Sequence, residues 1–326
     1  MTIEDQKISS ICVLGGSGFI GRHLLNNFEK SDGLLIKALS RYNKIEKSFP
    51  DHIQLVRGDI RAFDSLVRFL VPHAIVINLI YLNTASANDN IRAMDNLAKA
   101  CIKVGVARLI HCSTAVVAGN AKDDVITEKT PCLPANIYEK TKLNIENLLL
   151  ESLKGKCEVV IVRPTAVFGP YGKNGLKLID ELVYEPRLIR LLKTSLYSRR
   201  RMNFVSVKNV VDAIMFLAHF SGDFNDQCYI VSDDDAEENN YFDVSTLLSH
   251  HLGLSQVRMV NIPFQSFILS ALLHFIRRTN TNLNRIYSMQ KLTELGFTKS
   301  VLFHDEIKRV AQWYQVHRLS NDFAHR

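Results

Sequence analysis

Tyr138 and Lys142 stand four residues apart in "NIYEKTKLNIENLLLE" (136–151), a run that reads as helix, so both side chains share one face. A phenol beside an ammonium can give a proton to a carbonyl oxygen or take one from a hydroxyl. Two polar residues on a solvated helix would show the same spacing, and spacing alone does not choose. Tyr287 and Lys291 in "YSMQK" repeat the relation. With ten Tyr in the chain, roughly one such pair is expected by chance, so position must separate them. A third set, Gly15, Gly18 and Gly21, spells G-x-x-G-x-x-G directly after the apolar run "ICVLGG". That pattern suits a tight turn whose backbone and following helix N-terminus approach a pyrophosphate.

The elements that must position these residues alternate. Apolar runs at 11–16, 34–41, 52–59, 74–80, 107–114 and 157–164 read as strands. Helical periodicity fills 18–30, 62–70, 89–105 and the Tyr138 segment. This order predicts an α/β fold, a doubly wound parallel sheet of Rossmann type with helices on both faces.

Composition bounds the rest. The chain has 326 residues, 47% hydrophobic and 22% charged, with net charge +7. "MTIEDQKISS" carries no signal-peptide pattern, and "PFQSFILSALLHFI" (263–276) is too short and too interrupted to span a membrane. The six cysteines form no C-x-x-C pair and read as buried thiols of a cytoplasmic protein. Arg199, Arg200 and Arg201 form the one tight basic cluster. It has no nucleic-acid motif around it and suits either a solvated face or a polyphosphate ligand. The acidic stretch "VSDDDAEENN" (231–240) reads as a solvated loop, and no metal site is expected. Trp313 and Tyr314 read as packing residues, and His111 as a core or cofactor-side residue.

The end of the second strand reads the cofactor's ribose. It holds Ser40 and Arg41, with Lys44 nearby and no acid, which favours NADP over NAD. Asp59 could face the adenine or cap the next helix.

In this order the glycine turn, Asp59, "HCSTAVVAG", "YEKTK" and "IVRPTAVFGP" resemble the extended short-chain dehydrogenase/reductase family, within it the nucleotide-sugar epimerase/dehydratase/reductase group. The resemblance implies Tyr138 as catalytic acid/base, Lys142 as its cationic neighbour, and Thr114 as hydrogen-bond donor to the reacting oxygen, with Ser113 the register alternative. It implies a cofactor site of Gly15, Ser17, Gly18, Phe19, Ile20, Gly21, Arg41, Asp59, Ile60, Leu79, Ser113, Tyr138 and Lys142. It places Arg201 and Thr114 on the substrate. It also implies a smaller mixed α/β C-terminal substrate domain, with boundaries at 1–164 plus about 203–231 for the dinucleotide-binding domain and 165–202 plus 232–326 for the substrate domain. Lys142, helped by a cationic nicotinamide, is expected to lower the Tyr138 pKa from about 10.

Dehydratases of the group resemble one another in having Asp and Glu directly after the threonine. Here Ala115 and Val116 follow it and cannot move a proton. The resemblance then implies an NAD(P)-dependent reductase of a 4-keto-6-deoxy nucleoside-diphosphate sugar, serving cell-surface polysaccharide precursors. The alternatives are an epimerase with held NAD(P), a reductase of a steroid or other non-nucleotide carbonyl compound, and a catalytically silent dinucleotide-binding protein. Leu148, Leu149 and Leu150 offer burial for a homodimer.

Overall fold

The computed structural model describes residues 9–29, 33–41, 49–222, 224, 227–255 and 282–319. Lys44 and the 263–276 run lie outside them.

The chain divides into two compact units. The first comprises Met1–Val117, Pro134–Arg163 and Val211–Tyr229; the second comprises Ala118–Leu133, Pro164–Val210 and Ile230–Arg326. The sequence boundaries put 118–133 and 203–210 with the cofactor domain, and the contacts put them with the second unit. The reason is local. Arg285 is buried and donates to the carbonyls of Gly119 (2.8 Å) and Ala121, and β6 (Val125–Ile126) pairs with β11 (Ile286–Tyr287).

The central sheet has seven strands. In chain order they are β1 (Ser10–Leu14), β2 (Leu35–Ser40), β3 (Gln54–Arg57), β4 (Ile75–Asn78), β5 (Arg108–Cys112), β7 (Glu158–Pro164) and β10 (Cys228–Val231). Their spatial order is β10-β7-β5-β4-β1-β2-β3, parallel from β3 through β7. β1, β4 and β5 are buried along their whole length, which is why they read as continuous apolar runs and not as alternations. The order reverses between β1 and β4. In a doubly wound sheet a crevice opens at that point, beyond the carboxyl ends of the strands.

Helices cover the sheet. They are α1 (Phe19–Asn27), α2 (Phe63–Phe69), α3 (Ala87–Val104) and α4 (Ile137–Leu153). α3 starts on a capping box between Ser86 and Asp89 and ends at Gly105 in the left-handed region, φ 76°. Ile145, Leu149 and Leu153 of α4 bury into the core, and Leu148 and Leu150 pack against it. The leucines that suggested a dimer are thus spent largely inside their own chain. Cys12, Cys101 and Cys157 lie in the same core, and burial pushes the Cys12 thiol up to about 11.

The second unit has its own core, built on β8 (Ala166–Phe168), α5 (Lys173–Tyr184), β9 (Phe204–Ser206), α8 (Tyr241–His251) and the helix Phe303–Tyr314. Here the acidic stretch departs from expectation. Asp233 and Asp234 are buried, not solvated. Asp233 accepts from the Ser206 amide (2.8 Å) and the Asn209 amide group (3.0 Å). Asp234 accepts from Asn203 (2.8 Å), Asn239 (3.1 Å) and the Tyr287 backbone (2.7 Å). A buried carboxylate is tolerable only with such donors, and here they come from three separate stretches of chain. Trp313 stacks on His317 with centroids 4.8 Å apart, and the Tyr314 hydroxyl donates to Asp180 at 2.7 Å, so both serve packing.

Candidate active site

The glycine turn follows β1 and opens α1. Gly15 has φ 88°, a conformation an L side chain rarely adopts, and its carbonyl accepts from the Gly18 amide at 3.0 Å. A Cβ on Gly21 would land on that carbonyl oxygen, and one on Gly15 would press on the backbone of Leu79 and Ile80. Gly18 is the N-cap of α1 and offers no side-chain cap, so the helix N-terminus presents its amides to whatever lies before it.

What lies before it is a cleft of about 620 Å³. Gly15, Ser17, Gly18, Phe19, Ile20 and Gly21 line one side, Arg41, Asp59 and Ile60 another, and Leu79 a third. Most of the sequence-assigned cofactor residues are thus brought to one place. A glycine floor where side chains would clash, under an uncapped helix start, fits a dinucleotide pyrophosphate. Ser40, read from the sequence as ribose-side, also lines the cleft, and Tyr81, Leu82 and Asn83, which the sequence reading missed, join it. The signal available for Tyr81 was an aromatic directly after the β4 run.

Asp59 does not cap α2, whose N-cap is Ala62. Its carboxylate grips Arg61 instead, with Nε 3.1 Å and Nη2 2.5 Å away, and that guanidinium pulls the Asp59 pKa down.

The second cluster sits at the carboxyl end of β5 and the start of α4. Asn136 caps α4, accepting from the Glu139 amide at 2.9 Å. The buried Glu139 carboxylate returns the bond, accepting from the Ala135 amide and the Asn136 side chain, each at 2.7 Å. This fixes the first turn, and with it the ring of Tyr138 on the next residue but one. Lys142, one turn on, is buried and donates to the Cys112 carbonyl at 3.1 Å. Its ammonium lies 4.9 Å from the centre of the Tyr81 ring, and Tyr81 meets Tyr138 edge-on at 5.1 Å. The Thr114 hydroxyl lies close enough to the Tyr138 phenol to draw its pKa down. Ser113 is buried, and its hydroxyl has no partner in the structure. Of the two registers, the structure joins Thr114, not Ser113, to the tyrosine.

The electrostatics depart from expectation. Burial pushes Tyr138 up to about 12, with Cys112 and Tyr81 adding to the rise and Thr114 opposing it. Lys142 does not offset this, because its ammonium is turned to the Cys112 carbonyl; burial lowers its own pKa. His111 is fully buried beneath, with Nδ1 3.0 Å from the Asn78 amide nitrogen, and burial drives its pKa well down. It is a neutral core group, not an acid/base.

The remaining assignments fall elsewhere. Tyr287 is buried on β11 and Lys291 lies on the helix Gln290–Glu294, so this pair does not share a helix face. Arg201 belongs to the second unit, where its backbone amide donates to Leu283 (2.9 Å) and its guanidinium to the Ala236 carbonyl (2.8 Å). Among the described residues no group of three His, Cys, Asp or Glu is placed to hold a metal, and no helix is long and apolar enough to cross a membrane.

Residues 11–227 match the model of the NAD dependent epimerase/dehydratase family. The sterol-4-alpha-carboxylate 3-dehydrogenase (decarboxylating) of Saccharomyces cerevisiae is 27% identical over 198 residues, covering 54% of this chain and 57% of that protein. The UDP-glucose 4-epimerase of Azospirillum brasilense is 28% identical over 196 residues, 54% of each. The chain therefore spans little more than half the length of these two relatives. A crystal structure of UDP-glucuronic acid 4-epimerase from Bacillus cereus in complex with NAD shares the fold, with a TM-score of 0.70 at 17% identity over 95% of this chain and 98% of that one. With the family model matched over most of its length and the glycine cleft in place, the chain belongs to the NAD dependent epimerase/dehydratase family, enzymes of the extended short-chain dehydrogenase/reductase class.

Proposed function

We propose that this chain is a reductase that uses NADP(H) in preference to NAD(H) and acts on the keto group of a nucleoside-diphosphate sugar. A 4-keto-6-deoxy sugar is the substrate class named first. What supports the reading is the placement of Thr114 beside the Tyr138 phenol, which burial pushes up to about 12. Such a phenol is protonated across the neutral range, so it suits giving a proton to a carbonyl oxygen better than taking one from a hydroxyl.

Bound in the glycine cleft, the nicotinamide would supply the hydride. Tyr138 donates its proton to the oxygen of the reduced carbon, and Thr114 holds that oxygen in line. Lys142, pinned by Cys112, reaches the nicotinamide ribose. Ser40 and Arg41 line the cleft with no acid before Glu46, which supports a 2′-phosphate. Ala115 and Val116 occupy the short 3-10 turn after Thr114 and hold no second acid/base pair, which argues against water elimination. Arg201 keeps a place on the diphosphate in this reading, with one guanidinium nitrogen already given to Ala236. The cytoplasm, polysaccharide precursor synthesis and a homodimer formed through the outer faces of α3 and α4 belong to the same proposal.

The test is a panel of UDP-, GDP- and dTDP-linked 4-keto-6-deoxy sugars incubated with NADPH or NADH. Stoichiometric loss of NADPH with formation of the reduced sugar supports the reading. Product with no net loss of NADPH would instead establish epimerisation, the activity named for the Azospirillum relative. No turnover of any sugar, with turnover of a sterol or other lipid ketone, would move the substrate class.

A further inference from the structure

The helix α6 (Arg187–Tyr197) is amphipathic, but it is packed the wrong way round for a soluble surface. Its buried residues are Thr194 and Ser195. Lys193 turns back to Glu181 (2.9 Å) and Glu185 (2.6 Å) of the preceding segment, and Arg190 reaches Ser255 (3.5 Å). Three of its apolar residues face out, while Leu191, Leu196 and Tyr197 are half-buried. Leu188 is 63% exposed and Leu192, one turn later, 53%; Ile189 lies between them, also exposed. Tyr184, at the end of α5, extends the patch at 57% exposure. Single exposed leucines need no explanation, but three exposed aliphatic residues within about one and a half turns of one helix do.

Charge identifies what would cover it. Between Lys173 and Arg201 there are eight Lys or Arg against three Asp or Glu, a net +5 of the chain's +7. Internal pairing cannot cancel that excess. Arg187 is exposed at the start of the leucine stripe; Arg199, exposed past its end, is paired with Asp243 at 3.3 Å. Aliphatic side chains flanked by arginine, lying along a helix on the surface, are what an anionic lipid headgroup layer binds. A second copy of this chain would bring its own positive patch to the same face.

We propose that α6 and the end of α5 form a peripheral docking face for an anionic bilayer surface, with Tyr184, Leu188, Ile189 and Leu192 entering the headgroup–acyl boundary. The face serves to hold the protein at a membrane surface and is independent of the catalytic reading.

Flotation of the full-length protein with phosphatidylcholine vesicles, with or without about one third phosphatidylglycerol, tests this. Recovery with the anionic vesicles is expected to exceed recovery with neutral ones at least about fivefold, and to fall in high salt. The double variant Leu188→Glu/Leu192→Glu should lose the binding while keeping the wild-type melting temperature. Equal recovery from both vesicle types, or none, overturns the proposal without needing any variant. So does wild-type protein that stays off anionic vesicles but forms a dimer that the double variant dissolves in light scattering, since the stripe is then a self-association surface.

Discussion

Tyr138 is 41% exposed, yet its hydroxyl sits in surroundings that favour the neutral form. Replacing it with Phe is expected to lower kcat for reduction about 10²- to 10⁴-fold, with NADPH binding by fluorescence titration within a few-fold of wild type. The pH dependence should be asymmetric. Reduction needs the protonated phenol and should stay flat from pH 6 to about 9; the reverse oxidation needs phenolate and should climb over the same range. A bell centred near pH 7 for reduction would contradict the proton-donor role. Arg41→Asp should weaken NADPH binding by about tenfold or more and leave NADH nearly unchanged, as read by paired titrations. At this scale the sequence was informative about identity and less so about environment. Spacing offered Tyr138–Lys142 and Tyr287–Lys291 alike, and it was the family resemblance that singled out Tyr138, Lys142 and Thr114. That the ammonium would be held by a backbone carbonyl, and the phenol raised and not lowered, depended on burial no spacing reveals.

At the scale of elements, the glycine turn was legible because its constraint is short-range: a strand, a turn and a helix start within a dozen residues. Gly21→Ala puts a methyl group against the Gly15 carbonyl, backbone that cannot step aside. A loss of about 1–3 kcal/mol is expected, seen as a lower denaturant midpoint, together with weakened dinucleotide binding. The order of the strands was also legible, since buried parallel strands announce themselves as unbroken apolar runs. The role of 231–240 was not. Its carboxylates look solvated in sequence because their donors, Asn203, Asn209, Asn239 and the Tyr287 amide, come mostly from far along the chain.

For the whole molecule, that buried pair makes stability depend on pH. Burial raises Asp234 to about 6, above the unfolded value of about 3.9. The fold therefore favours its protonated form. Its favourable contribution is whole below about pH 4, shrinks as pH rises towards 6, and is gone above that. Asp234→Asn should cost stability near pH 4 and regain on the order of 2 kcal/mol relative to wild type by pH 7, measured by denaturant melts across that range. A difference that does not vary with pH would mean the carboxylate is ionised throughout.

The thiols of Cys12, Cys101 and Cys157 are sealed in the core of the first unit, whereas Cys132 and Cys228 are half-buried. A sulfhydryl reagent therefore meets two populations in one polypeptide. The slow one can be modified only when that sheet and its helices part, so its reaction rate is a clock for the opening of the unit that carries the glycine cleft. A dinucleotide that settles in that cleft should slow the clock even if no turnover is ever seen.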